Sequence, residues 1–205
     1  MSSTVEEIDI VGTGLSQIVF CLRPVVDLSD DQLFELCQVN RELRIERNEQ
    51  GELIIMSPAG GESSHRNAEI TLQLALWAKR DGTGIAFDSS GGFRLPNGAM
   101  LSPDAAWLRL SRWNALAGKD RKKFVPLCPD FVIELRSETD RLRALQKKLR
   151  EYIDNGAELG LLIDPIERRV HVYRRGREVE VLDDPQTVSC DPPLRGFALD
   201  LRAVW

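Results

Sequence analysis

Hydrophobic and polar positions alternate with two different periods along this chain, and the switches between the periods mark its elements. Residues 1–27 read as an N-terminal arm and 28–205 as one domain. DLSDDQLFELCQVN places Leu33, Leu36 and Cys37 on one stripe behind Ser29, which predicts a short helix with a serine cap. ELRIERNEQGELIIMSP alternates and turns at Asn48–Gly51, the pattern of a β-hairpin. In GGESSHRNAEITLQLALWAKRDG, Ile70, Leu74 and Trp77 share one face and Leu72 and Leu76 another. That pattern predicts a helix that is apolar nearly all round, buried in the core and stopped by Gly82.

The period then shortens to two. GIAFDSSGGFRLPNG predicts two short strands about a Ser-Gly turn, and SPDAAWLRL a third. SRWNALAGKDRKKF is a polar helical excursion before PDFVIELRS, a strand of buried type. The clearest helix is TDRLRALQKKLREYIDNGA, with Leu142, Leu145, Leu149, Tyr152 and Ile153 in register and Gly156 as its stop. LGLLIDPIERRVHVYRRGREVEVL supplies a strand, an Asp-Pro turn and further strands. With no solenoid repeat and no low-complexity tract, these elements predict an α/β fold. A buried helix precedes its central strands and an amphipathic helix comes after them.

Composition narrows the class. At 205 residues with 42% hydrophobic and 29% charged positions, the chain is an ordinary globular domain, neither disordered nor fibrous. Its start, MSSTVEEIDI, carries acids where a signal peptide needs basic and then apolar residues, so a cytoplasmic location is expected. Cys21, Cys37, Cys128 and Cys190 show no C-x-x-C spacing and read as reduced core thiols. A net charge of −5 argues against a purely electrostatic nucleic-acid coat. It argues less against a nuclease, whose clustered carboxylates are offset only when a cation binds. Two histidines, His65 and His171, leave little for a His-rich metal site or a Ser-His-Asp hydrolase. The useful acids must be Asp and Glu.

Asp104 stands at the start of SPDAAWL and Glu134 inside PDFVIELRS, so two adjacent strands could bring both carboxylates to one hard cation. The period of two puts Asp130, Val132, Glu134 and Arg136 on one face of the second strand and Phe131, Ile133 and Leu135 on the other. Glu134 is thus a charge in an apolar strand and needs a cation, either a side chain such as Arg136 or a lysine, or a metal. Asp130 lies roughly 13 Å along the strand from it at about 3.3 Å per residue, which makes Asp104 the better partner. On the next helix, Lys148 lies roughly 40° outside the stripe edge marked by Tyr152, and Gln146 lies at the opposite edge beside Ile153. Asp, Glu and Lys in that order suit phosphodiester hydrolysis with Mg²⁺.

Pro103–Asp104, Glu134 in ELRS, and Lys148 and Tyr152 in LQKKLREYIDNGAELGLLIDP resemble the Uma-two family of restriction-endonuclease-like proteins. The likeness runs from about Glu42 to Trp205 and includes SPAGGESSHRN, GTGIAFDSSGGF, LSRW and CPDFVIELRS. It implies a member of the PD-(D/E)XK nuclease superfamily with a central mixed β-sheet flanked by helices. It also implies Mg²⁺ (or Mn²⁺) as cofactor, DNA as substrate and a homodimer. Carried over by position, Asp104, Glu134 and Glu62 would be metal ligands and Lys148 the catalytic lysine displaced onto a helix; Gln146, whose tip could reach the same end of the sheet, is a further candidate site residue from its place on the helix. The superfamily motif expects lysine two residues after the glutamate; here that residue is Arg136, which cannot act as a base.

Two function classes therefore stand: a Mg²⁺-dependent DNA endonuclease, and a catalytically impaired nucleic-acid or protein binding module on the same fold. An enzyme acting on another phosphodiester, such as RNA, is a third.

Overall fold

The computed structural model describes residues 17–56 and 58–205. The expected arm therefore lies outside the described residues over 1–16, and its remainder contributes an edge strand, β1 (Gln17–Phe20). Helix α1 (Asp30–Val39) starts as expected: Ser29 accepts from the Gln32 amide while Gln32 reaches back to the Ser29 amide, a reciprocal cap. The hairpin comes next as β2 (Arg44–Arg47) and β3 (Leu53–Met56).

A 21-residue helix, α2 (Gly61–Asp81), leads to β4 (Gly84–Asp88), β5 (Phe93–Arg94), β6 (Met100–Leu101) and β7 (Ala105–Arg109). The polar excursion is a short helix, α3 (Leu110–Asn114), and a 3₁₀ turn at Asp120–Lys122. Then come β8 (Phe131–Leu135), α4 (Leu142–Asp154), β9 (Leu159–Asp164), β10 (Arg169–Arg174), β11 (Glu180–Asp183), β12 (Thr187–Ser189) and β13 (Ala198–Asp200).

Six strands form the central sheet in the order β11-β10-β9-β8-β7-β4. Only β8 and β9 are parallel, because α4 connects them as a crossover; the other pairs are antiparallel. Helix α2 covers one face, where Ile70, Leu74 and Trp77 meet Phe131, Ile133 and Leu135. Helix α4 covers the other, where Leu149 and Tyr152 share a cluster with Val132. The expected α/β fold, a mixed sheet between helices, is the fold observed. A second sheet, β1-β3-β2-β6-β5, lies along the α4 side with α1 packed on it.

The two short strands about the Ser-Gly turn are present as β4 and β5, which join different sheets, β4 lying along β7 and β5 along β6. Two readings need correction. Leu72 and Leu76 are each 52% exposed, so α2 buries one face rather than its whole circumference. Of the four thiols only Cys128 and Cys190 are buried, both pushed up to about 12 by burial, whereas Cys21 is exposed and Cys37 half-buried.

Close contact between α4 and the sheet sets the position of Lys148. A side chain at Gly160 on β9 would meet Leu149 Cδ1 at 2.6 Å, so glycine lets the helix lie directly on the strands. Lys148, one residue before Leu149, is thereby carried to the sheet's end.

Candidate active site

Strands β7 and β8 pair with Ala105 opposite Ile133, which continues to Asp104 opposite Glu134. Asp104 Oδ2 accepts the Leu135 amide at 2.8 Å, and Oδ1 accepts Arg44 Nη1 at 2.9 Å. Beside it Glu134 is buried to 2% exposure. The Lys148 ammonium lies 2.9 Å from Glu134 Oε1, but off the line of a hydrogen bond, so this oxygen is ion-paired and still lacks a donor.

The same ammonium donates to Glu46 Oε1 at 2.9 Å and to the Ser102 carbonyl at 3.3 Å. Glu46 Oε1 also accepts the Ser102 amide at 2.8 Å. Three carboxyl groups, Glu46, Asp104 and Glu134, thus face two cationic side chains, Arg44 and Lys148. They line a cleft of about 1110 Å³ that runs from the start of α2 past the end of β8 to α4.

The environment separates the charges' behaviour. Burial, reinforced by Asp104 and Glu46 and opposed by Lys148, raises the Glu134 carboxyl to about 8. For Lys148 burial works downward, but Glu134 and Glu46 outweigh it and hold the ammonium above its ordinary value. Tyr152, fully buried beneath the site, has a hydroxyl without a partner, and burial raises it well above the usual phenol range.

Against family models, residues 30–202 match Uma2, described as "Putative restriction endonuclease". The chain belongs to the Uma2 family. One solved structure similar to this Uma2 chain is "a putative nuclease belonging to DUF820 from Anabaena variabilis ATCC 29413". It has a TM-score of 0.69 and 22% identity, covering 86% of this chain and 97% of that one, and so shows a shared fold. Among curated proteins none matches.

Within this Uma2 chain, Asp104, Glu134 and Lys148 come together as the sequence suggests. Glu62 lines the same cleft from the first turn of α2, but its carboxylate is 70% exposed and bound to Arg66 at 2.7 Å. Gln146 is half-buried and does not line the cleft. Arg136 does line it, yet its Nη1 donates to Asp164 at 2.7 Å rather than turning to Glu134. Asp164, which reads in sequence as a turn residue, is fully buried and also accepts the amides of Ile166 and Glu167. Asp130 belongs to the far end of β8, where it takes the Arg109 amide and Arg112.

The sequence reading missed Arg44 and Glu46. Its signal was there: in Arg44–Arg47 only Ile45 is apolar, and opposite charges two residues apart share one face of the hairpin strand.

The donor set suits a hard divalent cation. Asp104 and Glu134 offer oxygen ligands, Glu134 Oε1 is a buried acceptor without a donor, and carboxyl groups outnumber cationic side chains. Among the described residues no three His, Cys, Asp or Glu side chains converge to enclose a metal. Mg²⁺ is commonly held by one or two carboxylates with water and phosphate completing its shell, so this pair meets that requirement. Among the described residues no helix is long and apolar enough to cross a membrane.

Proposed function

We propose that this Uma2 protein is a Mg²⁺-dependent endonuclease that hydrolyses DNA phosphodiesters. The observation that carries the reading is the Lys148 ammonium set 2.9 Å from a buried glutamate whose strand neighbour is Asp104, within an open cleft. Asp104 and Glu134 would hold Mg²⁺ (Mn²⁺ could replace it), which would polarise the phosphodiester and make bound water more acidic. Lys148 keeps its proton between two carboxylates, so it neutralises charge developing on the phosphate rather than taking a proton from water. Arg141 and Lys147 line the same cleft and would meet flanking phosphates. Glu62 stands at the mouth, where an acid could help hold a hydrated cation.

The reading includes a homodimer. Ala68, Leu72, Ala75 and Leu76 form an exposed apolar stripe on α2. A two-fold dimer would bury this stripe against the same stripe of a second copy.

Nicking of supercoiled plasmid with and without Mg²⁺ tests the activity. Mg²⁺-dependent conversion to open circle supports it, and intact plasmid under both conditions overturns it. Matched single-stranded DNA and RNA substrates define the nucleic acid cut.

A further inference from the structure

Two of the three N–H bonds of Lys148 are committed within the protein, one to Glu46 Oε1 at 2.9 Å and one to the Ser102 carbonyl at 3.3 Å. Its approach to Glu134 is ionic without an aligned hydrogen bond. We propose that Glu46 is a positioning residue that fixes the Lys148 ammonium beside the Asp104–Glu134 pair and leaves its third N–H for a phosphate oxygen. The proposal deepens the nuclease reading and rests on it for the reaction, although the contact itself is a matter of geometry.

Glu46 reaches the site from outside the central sheet. It is carried by β2 of the second sheet, its side chain is 3% exposed, and a single oxygen accepts both the Lys148 ammonium and the Ser102 amide. Ser102 lies two residues before Asp104. One carboxylate oxygen therefore ties the hairpin, the approach to β7 and the flank of α4 together.

That link becomes more important once a cation engages the carboxylates. Lysine is a point charge on a flexible four-carbon stem, and a divalent cation on Glu134 would repel it. Without a second anion the ammonium would lose its anchor as the site loads. Glu46 is that second anion, and Arg44, 3.9 Å from it, balances the remaining charge.

Glu46→Gln keeps the side chain's shape and an oxygen for the Ser102 amide but removes the charge, whereas Glu46→Asp keeps the charge. Both are compared with wild type, using the full chain, for plasmid nicking, Mg²⁺ binding by calorimetry and nitrogen-15 spectra of lysine ammonium groups, with Lys148→Arg used for assignment. For Glu46→Gln, kcat should fall on the order of 100-fold, as for a displaced catalytic group, with KM for DNA and Mg²⁺ affinity unchanged. Glu46→Asp should recover most of that loss, and the exchange-protected Lys148 ammonium signal should vanish in Glu46→Gln. Wild-type kcat in Glu46→Gln, or a loss of Mg²⁺ affinity matching the loss of kcat, would overturn the proposal while leaving the nuclease reading intact. Should wild type itself not nick, the nuclease reading falls and the spectra decide alone: a protected signal lost in Glu46→Gln supports positioning by Glu46, and an unchanged one refutes it.

Discussion

Arg136 Nη1 donates to Asp164 Oδ2 at 2.7 Å, joining the ends of the parallel strands β8 and β9. The residue standing where the superfamily motif expects its lysine is thereby committed to a buried acid and does not contact Glu134. Lysine reaches Glu134 from α4 instead.

This pairing makes Arg136 a matter of stability. Arg136→Ala leaves Asp164 buried without its cation, at a cost of about 3 kcal/mol. Urea unfolding should show the lower midpoint, while Mg²⁺ affinity at 25 °C stays as in wild type.

Lys148→Met should behave in the opposite way. Nicking should fall by about 100-fold or more through loss of charge stabilisation, while Mg²⁺ binds no more weakly, because a neighbouring positive charge has gone. Adding Arg136→Lys should not restore activity, since a lysine at 136 faces Asp164. Calorimetry beside single-turnover nicking separates the two effects.

The raised Glu134 carboxyl gives a pH signature. Between its ordinary value of 4.5 and about 8, the folded, metal-free protein holds a proton that the unfolded chain has released. Stability therefore falls as pH rises through that window. Because Mg²⁺ takes the ionised carboxylate, its apparent affinity should rise by up to about tenfold per pH unit below that value, with one proton released. Calorimetry in buffers of different ionisation enthalpy counts the proton, and Glu134→Gln should flatten the stability profile.

The carboxylates should also rank. Glu62 is exposed at the cleft mouth and paired with Arg66, whereas Asp104 and Glu134 sit on paired strands. Glu62→Gln should weaken Mg²⁺ binding by about tenfold at most, the scale of an outer contact, and Asp104→Asn by considerably more. Equal losses would place Glu62 among the direct ligands.

Much of this was legible in the sequence. Alternation in PDFVIELRS placed Glu134 opposite the α2-facing side, and the spacing excluded Asp130, which the structure finds at the strand's other end. Helix periodicity let both Lys148 and Gln146 reach the sheet's end, and it was the family resemblance that singled out Lys148, the one of the two that lines the cleft. Sequence periodicity does not reveal which distant strand comes alongside, and so Glu46 and Arg44, delivered by the second sheet, were not seen. The exposure of Leu72 and Leu76 escaped for a related reason, because periodicity counts apolar positions but not the neighbours available to cover them. Asp164 does sit at the β9–β10 turn, as it reads in sequence, but its ion pair was not legible because Arg136 lies 28 positions away.

The nuclease reading stands on Asp104 and Glu134 forming one cation site that serves phosphodiester hydrolysis. Its sharpest test is Mg²⁺ calorimetry on wild type, Asp104→Asn and Glu134→Gln, with plasmid nicking by the same three proteins. Wild type should bind Mg²⁺ and nick, and each variant should lose both properties while remaining folded. Absence of Mg²⁺ binding and cleavage in wild type, with salt-sensitive DNA binding that survives Asp104→Asn, would contradict it and leave a binding module whose carboxylates serve the fold.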